Sequence, residues 1–205
     1  MKAESSVKQE HIVEAAIRRF SHFGVNKTTL SEIADDIQIS KTSLFYYFQD
    51  KSSLLEAIAR KIIYELLDGF EAAAASAESV DDGLNNLIEV KREFFKKYLH
   101  LALQADRIEM IKVSPQLPEV ILEAHDKAAS LISSLLAKGV QQKELRSIDV
   151  RKTSVLVLET MEAFEQGIKC KSAIVGPKDI DRIFDKQKEV VELLINGLKS
   201  LESRN

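Results

Sequence analysis

Two helix-start signals stand close together between residues 28 and 51, and they constrain the fold more than any other feature. Thr29 followed at the third position by Glu32 is a capping box, which predicts that a helix begins there. Ser40 can cap a second helix over residues 41–48. The segment between the two helices leaves room only for a tight turn. The sequence therefore predicts a helix-turn-helix unit.

The second helix of this unit is rich in rings and hydroxyls. On helical spacing, Leu44 and Phe48 share one face and are expected to pack inward. Exposing the other side chains is costly unless something binds them. They are the groups that contact phosphates and base edges when a recognition helix enters a DNA major groove. By spacing alone, a helical domain that keeps its rings in the core and binds no DNA stays open as an alternative. The outward set is Lys41, Thr42, Ser43, Phe45, Tyr46 and Tyr47.

Few residues interrupt helices in this chain, since its 205 residues include only seven glycines and three prolines. Together with abundant Ala, Leu, Ile, Glu and Lys, this predicts an all-α fold. Apolar spacing and stop signals predict nine helices and no strands, with a break in the longest run near Tyr98 to His100. We expect a three-helix domain containing the helix-turn-helix unit over residues 1–50 and a larger helical domain over residues 51–205.

Charge and reactive residues exclude several classes of protein. Residues 1–51 hold seven basic and seven acidic side chains, so net charge adds no support for nucleic-acid binding. Lys41 and Lys51 are left to make directed phosphate contacts. The four histidines are scattered, no glycine-rich phosphate loop occurs, and Cys170 is the single cysteine. We therefore expect a protein that is not an enzyme and that has no cofactor and no metal.

The sequence also bears on the compartment. No apolar run approaches the roughly 18 residues of a membrane span. The N-terminal residues lack the apolar core of a signal peptide. We therefore expect a cytoplasmic protein with no membrane partner.

Several short motifs around the helix-turn-helix unit occur in a characteristic order. They are AA at 15–16, RRF at 18–20, Gly24, TT at 28–29, EIA at 32–34 and SLFYYFQDKSSLL at 43–55. In this order they resemble the DNA-binding domain of the TetR/AcrR family of bacterial repressors. The resemblance implies DNA contacts from Thr28, Thr29, Ser40, Lys41, Thr42, Ser43, Phe45, Tyr46, Tyr47 and Lys51.

Three positions depart from the family pattern. Gln38 and Thr42 stand where the family usually or often has glycine. Phe45 stands where the family commonly has tyrosine, so the phosphate contact of that hydroxyl is missing unless Tyr46 or Tyr47 replaces it.

The last two predicted helices are too apolar for one buried face each. A helix that is buried on two sides needs a second partner, and a two-fold copy of the chain supplies it most simply. A thick monomeric core is the alternative. A homodimer places two recognition helices about 34 Å apart, one turn of DNA, and predicts a palindromic operator.

The resemblance also implies a ligand cavity among the middle helices, whose filling moves the helix that begins at Lys51 and separates the recognition helices. An unknown, largely apolar small molecule with an anionic or hydrogen-bonding head fits this reasoning. Candidate lining residues are Phe94, Phe95, Tyr98, Leu101, Gln104, Arg107, Met110, Met161 and Phe164. The sequence thus predicts a ligand-responsive dimeric repressor of a double-stranded DNA operator. The alternative is a helical adaptor that holds a protein on the aromatic helix.

Overall fold

A computed structural model describes the backbone of residues 2–104, 117–170 and 176–200, and the side chains of these ranges except 2–5, 102–104, 166–170 and 177. The described residues form helices joined by short turns, with one isolated bridge between Leu145 and Lys199. The predicted all-α class is confirmed. The helices are α1 (Lys2–Phe23), α2 (Leu30–Asp36), α3 (Lys41–Tyr47), α4 (Lys51–Ala75), α5 (Val80–Gln104), α6 (Leu117–Gln141), α7 (Val150–Cys170) and α8 (Pro177–Leu198).

The predicted break near Tyr98 to His100 is wrong, because α5 continues through these residues to Gln104. No glycine or proline interrupts that stretch, and the side chains of Tyr98, Leu99 and Leu101 are buried, so inward packing supports the helix beyond the expected break. The described ranges contain eight helices, and the predicted count of nine is not tested because residues 105–116 lie outside them. The apolar spacing of the first helix predicts a start near Val7, whereas α1 begins at Lys2.

The described chain divides into two compact units. The first comprises residues 1–63 and 98–121. Its interior includes a set of nearly or fully inaccessible apolar side chains from α1 to α4. Gly24 ends α1 with a φ of 82°, a left-handed conformation that glycine adopts without steric cost, and its N–H donates to Phe20 O at 2.9 Å. The central side chains are Ile12, Ala16, Phe20, Ile33, Ala34, Leu44, Leu54 and Ile58.

The second unit comprises residues 64–97 and 122–205. Its described core is mainly apolar, and α7 packs along α8. Gly69 permits a close approach between α4 and α5, since a Cβ added there would lie 2.8 Å from Val90 Cγ1. The core side chains include Phe70, Leu84, Leu87, Ile88, Ile132, Leu136, Met161 and Phe184.

The first crossing of the chain from one compact unit to the other lies within α4, after Ile63, and later crossings lie within α5 and α6. The predicted functional boundary between residues 50 and 51 lies instead at the start of α4, and it stays a prediction. Among the described helices, none combines the length and the apolar character that a membrane crossing requires.

Candidate nucleic-acid interface

The capping box predicted at Thr29 fixes the start of α2. The Thr29 hydroxyl oxygen accepts a hydrogen bond from Glu32 N at 3.3 Å, while Glu32 Oε2 accepts from Thr29 N at 2.7 Å and from the Thr29 hydroxyl at 2.8 Å. Leu30, Ile33 and Ala34 are buried on the inner side of the helix. The local sequence therefore sets both where α2 begins and which face it buries.

Helix α3 is anchored in the same local way. Ser40 lies in an extended conformation and its hydroxyl oxygen accepts from Ser43 N at 3.1 Å, which satisfies one of the free amides of the first turn. Leu44 and Phe48 are buried, which confirms the predicted inward face. With its cap and its apolar anchor fixed, α3 holds its other side chains outward.

The outward face of α3 combines ammonium, hydroxyl and aromatic groups. Lys41 and Thr42 are exposed, and the side chains of Phe45 and Tyr46 are 45% and 79% exposed. Tyr46 meets the half-buried Tyr47 ring edge to face, with 5.1 Å between the centroids. This contact supports a tyrosine that is otherwise largely surrounded by solvent. Of the predicted α3 contact residues, Lys41, Thr42, Phe45 and Tyr46 are thus exposed, whereas Ser43 and Tyr47 are half-buried.

The turn between α2 and α3 is tight enough to require a left-handed residue. Gln38 has a φ of 55°, its N–H donates to Asp35 O at 3.2 Å, and Ile39 N donates to Ala34 O at 3.0 Å. Glycine adopts this conformation readily. This is a physical reason for the family pattern described above, which usually has glycine in the turn. Here glutamine occupies it, at a cost in backbone strain.

Two of the predicted DNA-contact residues make hydrogen bonds within the first compact unit. The Thr28 hydroxyl is buried and donates to Gly24 O at 2.9 Å. Lys51 Nζ donates to Thr28 O at 2.7 Å and lies 5.8 Å from the centroid of the Phe20 ring. Partial burial lowers the pKa of Lys51, with the charge of Glu32 acting in the opposite direction. In this conformation the Lys51 side chain ties α4 to the segment before α2, and the Thr28 side chain ties that segment to the end of α1.

An arginine that the sequence analysis did not single out holds α2 against α1. Arg19 Nη1 lies 2.7 Å from Asp36 Oδ1, Nη2 lies 3.2 Å from Glu32 Oε1, and the guanidinium lies 5.0 Å from the Phe23 ring centroid. The hydrogen bond to Asp36 is the main reason why the pKa of Arg19 is raised. Glu32 and Asp36 are four residues apart, so both carboxylates lie on one face of α2. This spacing could have predicted a basic side chain facing them.

The predicted ligand-contacting residues lie in different places. Tyr98 and Leu101 are buried within the first compact unit, whereas Met161 is buried and Phe94 and Phe164 are half-buried within the second. The side chain of Gln104 and the whole of Arg107 and Met110 lie outside the described residues.

The interior of the second unit contains polar groups that the sequence analysis missed. Lys91 on α5 is only 4% exposed and forms an ion pair with the largely buried Glu165 on α7. Gln187 on α8 is fully buried, and its Nε2 donates to Met161 O at 2.6 Å while its Oε1 has no hydrogen-bond partner in the described part of the chain. Elsewhere in this unit, the ring centroids of Phe95 and Phe184 lie 5.5 Å apart.

A signal for these buried groups existed in the spacing of α5. Lys91 follows the buried Leu84, Leu87 and Ile88 at helical spacing, on the face that packs inward. A lysine in such a stripe usually extends its amine to solvent, so the spacing alone did not predict a buried charge.

Apolar side chains on α7 and α8 stay uncovered within one chain. Leu156 is 52% exposed and Leu193 is 71% exposed. A Cβ added at Gly197 would meet no described atom within 4 Å. This surface lies on the helices whose sequence predicted a second buried face. Within the described residues, no group of three or more His, Cys, Asp or Glu side chains is placed to hold a metal ion.

Comparison with known proteins starts at the N-terminal region. Residues 12–58 match the family model described as bacterial regulatory proteins, tetR family. The HTH-type transcriptional regulator RutR of Escherichia coli O157:H7 is 27% identical over 202 residues, which cover 95% of this chain and 92% of RutR. The HTH-type transcriptional repressor AcnR of Corynebacterium diphtheriae is 26% identical over 193 residues, which cover 92% of this chain and 93% of AcnR. Both alignments extend well beyond the helix-turn-helix unit.

The backbone also resembles solved structures. A transcriptional regulator from Cytophaga hutchinsonii superposes with a TM-score of 0.81 at 21% sequence identity, over 94% of this chain and 99% of that one. At this identity the likeness concerns the fold, and it includes the helices that follow the helix-turn-helix unit.

Proposed function

We propose that this chain, a transcriptional regulator of the TetR family as its sequence predicted, is a cytoplasmic dimeric repressor that binds a palindromic DNA operator through α3 and is released by a small molecule. The observation that supports this most directly is the outward face of α3. A helix capped by Ser40 and anchored by Leu44 presents a lysine, hydroxyls and rings to solvent within the segment that matches the family model. A recognition helix in the major groove needs such a surface.

The proposed contacts fall into two kinds. Ser40, Lys41, Thr42 and the Tyr47 hydroxyl are suited to phosphates, because they offer a charge or a donor near the start and the rim of α3. Tyr46 is largely exposed and its hydroxyl is suited to a base edge. Thr29, Ser43 and Phe45 complete the proposed direct contacts, whereas Thr28 and Lys51 are proposed to support the unit through their bond to each other.

The proposed dimer uses the uncovered surface of α7 and α8. Leu193 and the open space beside Gly197 share one face of α8, Leu156 is exposed on α7, and a two-fold copy can bury these apolar positions. Leu193→Glu is expected to convert the protein to a monomer in sedimentation analysis, because an unpaired carboxylate would be buried in the interface. Glu192→Gln, on the same helix, is the control. A Leu193→Glu protein that stays dimeric would argue against this surface.

We propose that the effector binds within the second compact unit, with Phe94, Met161 and Phe164 of the predicted set as candidate contacts. Polar groups inside an apolar interior are typical of small-molecule sites, and Lys91, Glu165 and Gln187 supply them. The effector favours the conformation that cannot bind the operator. The degree of derepression depends on how much more tightly the effector binds this conformation than the DNA-bound one.

The decisive experiment is a selection of double-stranded fragments from a random-sequence DNA library by the purified full chain, at moderate salt and against non-specific competitor DNA. Enrichment of a palindrome with half-sites about one helical turn apart is the expected result. The variant Tyr46→Ala with Tyr47→Ala should lose the enriched fragments while keeping its helical content. If wild type and variant retain the same DNA, and the variant instead loses a bound protein, the adaptor function replaces repression.

A further inference from the structure

Phe45 is the exposed residue of α3 that carries no polar atom. Lys41, Thr42, Ser43, Tyr46 and Tyr47 each end in an ammonium or a hydroxyl, and Leu44 is fully buried. Phe45 nevertheless keeps 45% of its surface accessible. Its ring is therefore held out of the core by the same geometry that turns the contact groups outward.

The position of the ring relative to its neighbours follows from the helix. Residues three and four positions apart lie on one face, so Phe45 shares a face with Lys41 and Thr42 at the start of α3. Around the helix axis the Phe45 ring therefore lies between Lys41 and Thr42, one turn further along α3, on the side of the helix that is proposed to enter the groove.

Only one kind of base edge suits such a ring. A phenyl group neither donates nor accepts a hydrogen bond, and covering a polar base edge with it would leave that edge unsatisfied. In the major groove the apolar group is the 5-methyl of thymine, and phenylalanine is one of the side chains that contact it. We propose that Phe45 is a specificity-determining residue that packs on the 5-methyl group of one thymine in each operator half-site. This inference rests on the proposed DNA-binding function.

The test replaces the methyl group alone. Duplexes of the selected operator are made with each thymine changed in turn, symmetrically in both half-sites, to uracil, which pairs identically but lacks the methyl. For the full-length wild-type dimer, one such replacement should weaken binding about four-fold per half-site, or about fifteen-fold in total, as expected for one buried methyl-sized group in each half. Phe45→Ala should bind more weakly and should be indifferent to that replacement.

The comparison forms a double-mutant cycle, which removes effects of uracil on the DNA itself because they are common to both proteins. Tyr46→Ala is the matched control and should keep the wild-type penalty for uracil. If Phe45→Ala binds too weakly to measure, Phe45→Leu keeps an apolar side chain and should show a smaller penalty at the same thymine.

Three outcomes would overturn the inference while the proposed function stands: a selected operator without a sensitive thymine, equal penalties for wild type and both Phe45 variants, or a penalty that disappears in Tyr46→Ala instead. Failure of the wild-type protein to select any DNA would contradict the proposed function itself. The two failures are thus distinguished by whether specific binding is present before uracil is introduced.

Discussion

Helix α3 and the interior between α5, α7 and α8 invert the usual distribution of polar and apolar groups in opposite ways. On α3 the rings of Phe45 and Tyr46 lie in solvent. In the second unit, Lys91 and Glu165 are removed from solvent and paired with each other. Most side chains of the chain follow the ordinary rule, with apolar groups inside and charges outside. The exceptions therefore indicate where selection acted on something other than stability.

The two inversions differ in what they cost the folded state. An exposed ring contributes little to the stability of the folded state, because it is not buried. Removing it should therefore weaken binding and leave the free energy of unfolding almost unchanged. A buried ion pair loses the hydration of two charges, and each partner depends on the other. Substitutions in the two regions should consequently affect different measurements.

The largest effect is expected when the buried pair is broken. Lys91→Met leaves the Glu165 carboxylate buried without its partner and should lower the free energy of unfolding by about 3–5 kcal/mol. Lys97→Met, in the more exposed pair with Glu65, should cost no more than about 1 kcal/mol. Guanidinium titration followed by circular dichroism measures both.

The double variant Lys91→Met with Glu165→Met sharpens this prediction. Replacing both charges by apolar groups should recover most of the lost stability, since a buried pair is often no better than a well-packed apolar substitute. If the double variant is as unstable as Lys91→Met, packing rather than charge accounts for the loss.

A second prediction contrasts two neighbouring positions of α3. Leu44→Ala opens a cavity in the core and should lower the free energy of unfolding by about 2–5 kcal/mol. Tyr46→Ala should change it by no more than about 0.5 kcal/mol, because the side chain is largely in solvent. Operator binding should instead be weakened by Tyr46→Ala. Equal losses of stability in the two variants would contradict the assignment of α3 to an outward binding face.

A smaller effect of opposite sign is expected at the turn. Gln38→Gly removes the strain of a left-handed glutamine, worth about 1–2 kcal/mol, and adds the chain entropy of glycine, about 0.5–1 kcal/mol. The net gain in the free energy of unfolding should be about 0.5 kcal/mol. Gln38→Ala keeps the strained backbone and is the control, and a thermal melt of equal stability for both variants would refute the explanation.

The smallest effect concerns pH and the capping box. The pKa of Glu32 is lowered, first by the hydrogen bond from the Thr29 backbone, then by that from the Thr29 hydroxyl, with Arg19 adding to both and desolvation opposing them. Because the folded pKa lies below the unfolded value, this contribution is complete above the unfolded pKa of about 4.3 and is lost as the pH falls through the folded pKa.

The measurement for this prediction is the unfolding midpoint of wild type and Glu32→Gln at a series of pH values. The difference between the two proteins should narrow as the pH falls from about 7 to about 3. Glu71→Gln, at an exposed position of α4, controls for the removal of charge alone. A difference that is independent of pH would mean that Glu32 acts through its shape and not through its charge.

Much of the helix-turn-helix unit was predictable because its determinants are local. The capping box at Thr29, the cap at Ser40 and the inward pair Leu44 and Phe48 depend on residues three or four positions apart, and all are confirmed. The break expected near Tyr98 was wrong for the converse reason. Chain length alone suggested it, whereas burial of that stretch decided against it.

The sequence by itself determined the all-α class, the starts of α2 and α3, and the set of groups that α3 turns outward, because each follows from hydrogen bonds and periodicity within a few residues. Only the tertiary structure decided that Lys51 bonds Thr28, that Arg19 joins Asp36, and that Lys91 and Glu165 meet away from water. Those pairings join residues far apart along the chain. They depend on how each helix is rotated against its neighbours, and the total packing of many side chains sets that rotation.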